Sequence, residues 1–144
     1  MGFELSRNSK ITFNAASVSN ATGRIDGDIL DMASEGGFES VMFLAFATAT
    51  NAGLDSVLGM RVGTASDAMS DATGVVRVSK TGLYLDVNQP RKRFVQGQFR
   101  CTVSGDNRAI ISIQYNPRSQ PSSHPASTTG ARTYSPDSGT MSAT

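Results

Sequence analysis

Few residues in this chain of 144 could do covalent or acid–base chemistry. His124 is the only histidine, and it lies among prolines and serines. A serine-type triad needs its histidine held between nucleophile and carboxylate by rigid elements, and that segment offers none. Cys101 is the only cysteine, so the chain forms no internal disulfide. It alternates with apolar residues, as a small buried hydrophobe would. One Cys and one His also fall short of a tetrahedral zinc site without carboxylate help. Asp26, Asp28 and Asp31 place three carboxylates within six residues. Calcium loops use oxygen ligands at such spacing, but the ligand and glycine positions of an EF-hand are absent, and a solvated turn is the alternative. Glu4, Glu35 and Glu39 are the only glutamates, and nothing pairs them as glycoside hydrolysis requires. The glycines are scattered, with no phosphate-cradling loop. No enzyme, no cofactor and no metal site is expected.

The densest charge is Arg91-Lys92-Arg93, followed by Phe94. Pro90 cannot donate to a ladder and marks the start of a strand. The three cations then sit at a loop-to-strand corner, which is open to three uses: plain solvation, an ionic contact with an acidic protein neighbour, or nucleic-acid binding. The last needs a wider basic surface, and the net charge is only +1. In the strand that follows, Val95, Phe99, Cys101 and Val103 share one parity with Gly97. Phe94, Gln96, Gln98, Arg100 and Thr102 share the other. The first set suits a core face and the second a half-wet face. Phe94 is then either an interface anchor or covered by a second packed sheet.

The elements that must position these residues read as β. Apolar content of 38% and charge of 17% are low for a compact enzyme, with Gly, Ser, Ala and Thr filling the difference. Alternating or apolar runs occur at 10–14, 23–29, 40–48, 56–62, 74–79, 83–87, 94–103 and 109–115. The run 40–48 is apolar on both faces, as a central sandwich strand would be. Lys80-Thr81-Gly82 and Ser104–Asn107 suggest hairpin loops joining the runs on either side. Residues 65–72 lean towards one or two helical turns. Expected inside are Ile11, Phe13, Val41, Phe43, Val95, Phe99, Cys101, Val103, Ile111 and Ile113. From Asn116 onward there is no Leu, Ile, Val or Phe, and four of the five prolines lie there. Such a segment cannot by itself bury enough apolar surface to offset its ordering entropy. The expected organisation is an all-β single domain, a β-sandwich or jelly roll, with extended terminal arms. The N-terminal arm spans 1–7, the body 8–115 and the C-terminal arm 116–144.

The order of these runs carries a resemblance. An alternating strand leads through a Gly/Asp-rich stretch into Gly-Phe-Glu-Ser-Val-Met-Phe-Leu-Ala-Phe. Later come Arg-Lys-Arg-Phe-Val-Gln-Gly-Gln-Phe-Arg-Cys-Thr-Val-Ser-Gly, a final apolar strand and an Asn-Pro-Arg-Ser-Gln-Pro exit. Over roughly residues 8–121 this resembles the small capsid decoration (cement) proteins of tailed bacteriophages and prophages. Gln96 stands where that pattern carries Arg. The resemblance implies a jelly-roll or sandwich body that forms a homo-oligomer, commonly a trimer. It would sit on the outer surface of the capsid, over junctions of the major capsid protein, with arms reaching neighbouring capsomers.

In that role the contact residues of the body are Arg91, Lys92, Arg93 and Phe94. Those of the arms are Phe3, Leu5, Asn116, Pro117, Arg118, Pro121, Arg132, Tyr134 and Met141. The tail anchors are its few side chains with large apolar area or a fixed fork of donors. Neither nucleic acid nor a membrane is an expected partner. The N-terminus shows no apolar signal core, and the longest apolar run, Val41–Ala47, is far short of the roughly 20 residues that span a bilayer. Synthesis in the host cytoplasm is the expectation. The alternative reading is a virion- or tail-associated binding module, carbohydrate-directed. The absence of Trp and the scarcity of Tyr count against a sugar-stacking platform.

Overall fold

Ten short strands form in the computed structural model, which describes residues 8–18, 24–47, 56–71, 76–78, 82–101 and 106–118. They are β1 (Ser9–Val18), β2 (Arg24–Asp26), β3 (Leu30–Asp31), β4 (Phe38–Ala47) and β5 (Ser56–Gly63). The second half supplies β6 (Met69–Asp71), β7 (Val76–Val78), β8 (Gly82–Asn88), β9 (Phe94–Cys101) and β10 (Asp106–Pro117). Residues 34–36 make a single 3₁₀ turn.

The strands build two antiparallel sheets, as the sequence pattern leads one to expect. One has the order β1-β10-β4-β8. In the other, β9 and β5 run side by side, flanked by β2 and β3 on one edge and by β6 and β7 on the other. The pairing has a simple rule. β1 pairs β10, β2 and β3 pair β9, β4 pairs β8, and β5 pairs β6 and β7. The first half of the chain therefore pairs with the second half in reverse order. This is a long antiparallel hairpin rolled into two sheets, the winding of a jelly roll.

That winding corrects three local expectations. β7 pairs β5 while β8 pairs β4, so β7 and β8 lie in different sheets and do not pair as a hairpin. β9 and β10 likewise lie in different sheets and do not pair with each other. Both pairs are adjacent in sequence, but a rolled hairpin pairs each strand with its mirror position in the chain. Of the expected helical stretch 65–72, the described residues 65–71 form no helix; a turn closed by Ala68 N–H on Ala65 O leads into β6, whose ladder to Arg61–Gly63 satisfies the backbone instead.

Between the sheets, Val41, Phe43, Leu58, Val95, Phe99 and Ile110 are fully buried, each contributing roughly 1.5–3 kcal/mol of transfer energy. The expected parity of β9 holds: Val95, Gly97 and Phe99 face inward, while Arg100 is exposed. Val103 and the side chain of Cys101 lie outside the described residues. On β1 and β10 the expected parity is reversed. Phe13 is 46% exposed, Ile11 and Ile111 are half-buried, and the residues facing the other sheet are Thr12, Asn14, Arg108, Ser112 and Gln114, together with Ile110. The reason is hydrogen bonding across the sandwich. Gln114 Nε2 donates to Asp31 O at 3.0 Å. Asn14 Nδ2 donates to Asp28 Oδ1 at 3.0 Å, and Asn14 Oδ1 accepts from Asp28 N–H at 3.1 Å. Near this edge the interior is a polar seam, so the apolar parity turns outward. Ile113 is buried as expected, but on the outer face, between Ile11 and Met42.

The sheets are in close contact where the Phe43 ring lies on Gly97. A Cβ built at Gly97 would stand 2.7 Å from Phe43 Cδ1. Phe43 has no exposed surface into which to retreat. Gly97→Ala is therefore expected to destabilise the body by about 1–3 kcal/mol through overpacking. Gly82→Ala, with nothing within 4 Å of its Cβ, should stay within about 0.5 kcal/mol of wild type. Urea midpoints of the two variants check this, and equal midpoints would show that the sheets can part freely at Gly97. Shortening the ring in Phe43→Leu should recover part of the Gly97→Ala loss, because neighbouring sites couple.

Candidate functional site

One end of the sandwich gathers most of the candidate contact residues that the structure describes. β1 begins there at Ser9 opposite Tyr115, β4 begins at Phe38 opposite Pro117, β8 ends at Asn88 and β9 begins at Phe94. Backbone bonds tie its turns together. Met32 N–H donates to Arg93 O, Phe38 N–H to Met32 O, Gln89 N–H to Glu39 O and Arg118 N–H to Gly37 O. β10 thus continues through Pro117, and Asn116 and Pro117 are its last residues, part of the body rather than the head of an arm. An open cleft of about 350 Å³ lies between Met32, Phe38, Glu39, Gln89, Pro90 and Arg118.

The three cations of the basic corner part company. Arg91 and Lys92 are exposed in the turn after Pro90. Arg93 folds back onto Asp31, with Nε to Oδ1 at 2.9 Å and Nη2 to Oδ2 at 2.8 Å. Its guanidinium also lies 5.1 Å from the centre of the Phe94 ring. Phe94 is half-buried under that cation, so neither of its two expected roles describes it alone. Sequence reasoning missed Asp31 as the partner of Arg93, since the two are 62 positions apart. The carboxylates Asp26, Asp28 and Asp31 do not converge. Asp26 pairs with Arg24, Asp28 with Asn14 and Asp31 with Arg93. The dispersal comes from a bulge: residues 27–29 face only 96–97 on β9, which turns Asp28 towards β1. Gln96, the departure from the decoration-protein pattern, is buried and donates to Gly27 O at 2.8 Å, holding that bulge.

Among the described residues, Arg91, Lys92 and Arg118 have no ion-pair partner. They share this end with the Arg93–Asp31 pair and with Glu35 and Glu39. The described non-glycine residues with positive φ also lie here: Glu35 (51°), Gln89 (52°) and Asn116 (52°). Asn tolerates that region, whereas Glu and Gln adopt it at a cost of about 1–2 kcal/mol each. Phe3, Leu5, Pro121, Arg132, Tyr134 and Met141 lie outside the described residues. The positions where the chain enters β1 and leaves β10 are both at this end. No family model and no curated protein matches the chain.

The Arg93 hydrogen bonds hold the Asp31 carboxyl below its usual value of 3.8, against the opposing effect of partial burial, and the Ala33 N–H adds to them. A folded pKa below the unfolded one contributes stability that is present above the unfolded value and lost as pH falls through the folded one. The stability difference between wild type and Arg93→Ala should therefore be constant above about pH 5 and shrink as pH drops below 3.8. Urea titrations at a series of pH values check this, and a difference that persists undiminished in acid would assign the loss to packing on Phe94 instead. Gln89→Gly should stabilise the free body by about 0.5–1 kcal/mol, the relief of positive φ less the added entropy of the unfolded chain. A loss of stability in thermal melts would mean that the Gln89 side chain outweighs the backbone strain.

Proposed function

We propose that this chain is a structural decoration protein of a phage-type head, binding the outer face of the major capsid protein lattice and stapling neighbouring subunits. The observation that supports it best is the shared end. Arg91, Lys92 and Arg118 stand there without ion-pair partners among the described residues, beside the points where both terminal segments join the body. A surface that docks on a preassembled lattice gains from such an arrangement. Exposed cations steer and orient the encounter, with modest energy per pair. Arms joined to the same end then engage neighbouring subunits at high effective concentration, so individually weak contacts add up. Contacts made only in the assembled shell stabilise it by mass action. The decoration-protein resemblance supports the same reading and adds the homo-oligomer, with three copies favoured. A jelly roll by itself is equally at home in capsids and in lectins.

The test is co-sedimentation with undecorated heads. Arg91→Glu/Lys92→Glu/Arg118→Glu should shift half-saturation to about ten-fold higher protein concentration, and wild-type binding should weaken as salt rises. Truncation after Arg118 should keep the folded body, because β10 and the Arg118–Gly37 bond survive, and should lower occupancy and the heat resistance of the particles. Truncation from Asn116 would also remove the last residues of β10, so it does not isolate the arm. Unchanged saturation by the charge-reversed variant, together with unchanged heat resistance for the truncated one, would overturn the proposal.

A further inference from the structure

The outer face of the β1-β10-β4-β8 sheet is apolar where a solvated sandwich face would be polar. Side chains on one rung of the ladder are Phe13, Ile111, Leu44 and Tyr84; the next rung carries Ile11, Ile113 and Met42. Phe46 continues the surface beyond them, opposite Ala109. Phe13 and Phe46 are each 46% exposed and Tyr84 is 68% exposed. The charged group on these rungs is Asp86, which accepts a hydrogen bond from Tyr115 Oη at the polar end of the face. Four strands at about 4.8 Å spacing and some six residues of about 3.4 Å each give a face of about 400 Å² in footprint, with Ile113 buried and Ile11, Met42, Leu44 and Ile111 half-buried between the exposed aromatics. Isolated apolar side chains on a surface need no explanation, but a contiguous apolar face of this size is often functional.

We infer that this face packs against a second copy of the chain, forming the permanent interface of a closed self-assembly. The inference rests on the oligomeric part of the preceding reading and names the surface that carries it. The patch is about half of the roughly 800 Å² per partner that a stable interface buries, which leaves the other half for a polar rim. The rim is present at one end, where Tyr115, Asp86, Ser40 and Asn88 are hydrogen-bonded to one another. The terminal segments beyond the described residues offer few large apolar side chains for a patch of this size: Tyr134 and Met141 in 119–144, and Met1, Phe3 and Leu5 in 1–7. The lattice is a poorer occupant than another copy. An apolar sheet face left open until a shell is available invites aggregation, whereas another copy is present as soon as the chain folds. Permanent interfaces are correspondingly more apolar than contacts made late. The end that bears Arg91, Lys92 and Arg118 suits the late contact and this face the early one.

The test uses the free full-length protein, without shells. Sedimentation velocity and light scattering should give wild type a mass that is a multiple of 15.2 kDa. Phe13→Glu/Phe46→Glu should run as a monomer with wild-type far-UV circular dichroism, since both positions are open to water in the single chain. Phe13→Leu/Phe46→Leu should keep the wild-type mass. Hydroxyl-radical footprinting of wild type covers the case of a variant that does not fold: Phe13, Phe46 and Tyr84 should be oxidised as slowly as the buried Phe43 and Phe99. An oligomer that survives the Glu substitutions, or fast oxidation of those three aromatics within it, would overturn this face as the interface and leave the oligomer itself standing. A wild-type monomer that still coats heads would overturn the inference and assign the face to the shell, while leaving the attachment reading intact.

Discussion

The Phe43 ring rests on the backbone of Gly97, and the separation of the two sheets is set at that contact. Phe43 sits on β4, inside one sheet, and Gly97 on β9, inside the other. A Cβ at Gly97 would meet the ring at 2.7 Å, so any larger residue there would require the ring or the sheets to shift. Around it Val95 and Phe99 on β9, Leu58 on β5 and Val41 and Ala45 on β4 close the core. The same backbone unit also fixes the edge of its sheet. Gly97 O accepts from Gly27 N–H at 2.9 Å, and that bond starts the bulge that sends Asp28 across to Asn14. A steric constraint in the core is thereby coupled to the polar seam at the margin.

That coupling explains why one sandwich has two unlike margins. Beneath β4 and β8 the interior is hydrocarbon, with Leu83, Leu85 and Val87 packed on the core. Beneath β1 it is amide and hydroxyl, with Thr12, Asn14 and Gln114 facing main-chain and side-chain groups of the 28–31 segment. A side-chain period of two leaves no middle course. Once the polar parity of β1 and β10 is drawn inward by hydrogen bonds, the apolar parity must face outward. The exposed ring of Phe13 and the half-buried Ile11 and Ile111 are thus the price of a hydrogen-bonded interior.

The jelly-roll winding does the rest of the positioning. Because the first half of the chain pairs with the second in reverse order, the start of β1 and the end of β10 are neighbours in one ladder. The turn holding Arg91 and Lys92 follows β8, whose last residues pair with the start of β4 at that same end. Cations far apart in sequence, such as Arg91 and Arg118, come to border one end without any motif linking them. Arg93 is paired with Asp31 while its side chain stays exposed, and the pair fixes that corner.

Period-two alternation and turn residues were enough to read an all-β body, the inward parity of Val95, Gly97 and Phe99, and the interior strand at 40–48. These depend on local sterics and on burial of one face, which neighbouring residues specify. The same reasoning joined β7 to β8 and β9 to β10 as hairpins, because adjacency along the chain says nothing about which sheet receives the next strand. It also turned Phe13 and Ile111 inward. A run such as Ile110-Ile111-Ser112-Ile113 satisfies either parity, and the choice was made by partners elsewhere: Asp28 for Asn14, and the Asp31 carbonyl for Gln114. The basic triplet was visible in the sequence, but its division into two free cations and one paired one was not, since Asp31 meets Arg93 only after β3 joins β9. The sequence by itself determined composition, strand content and which residues are apolar. Which apolar residues of β1 and β10 meet the core and which are left on the outer face was decided by long-range hydrogen bonds, which exist only once the chain has rolled.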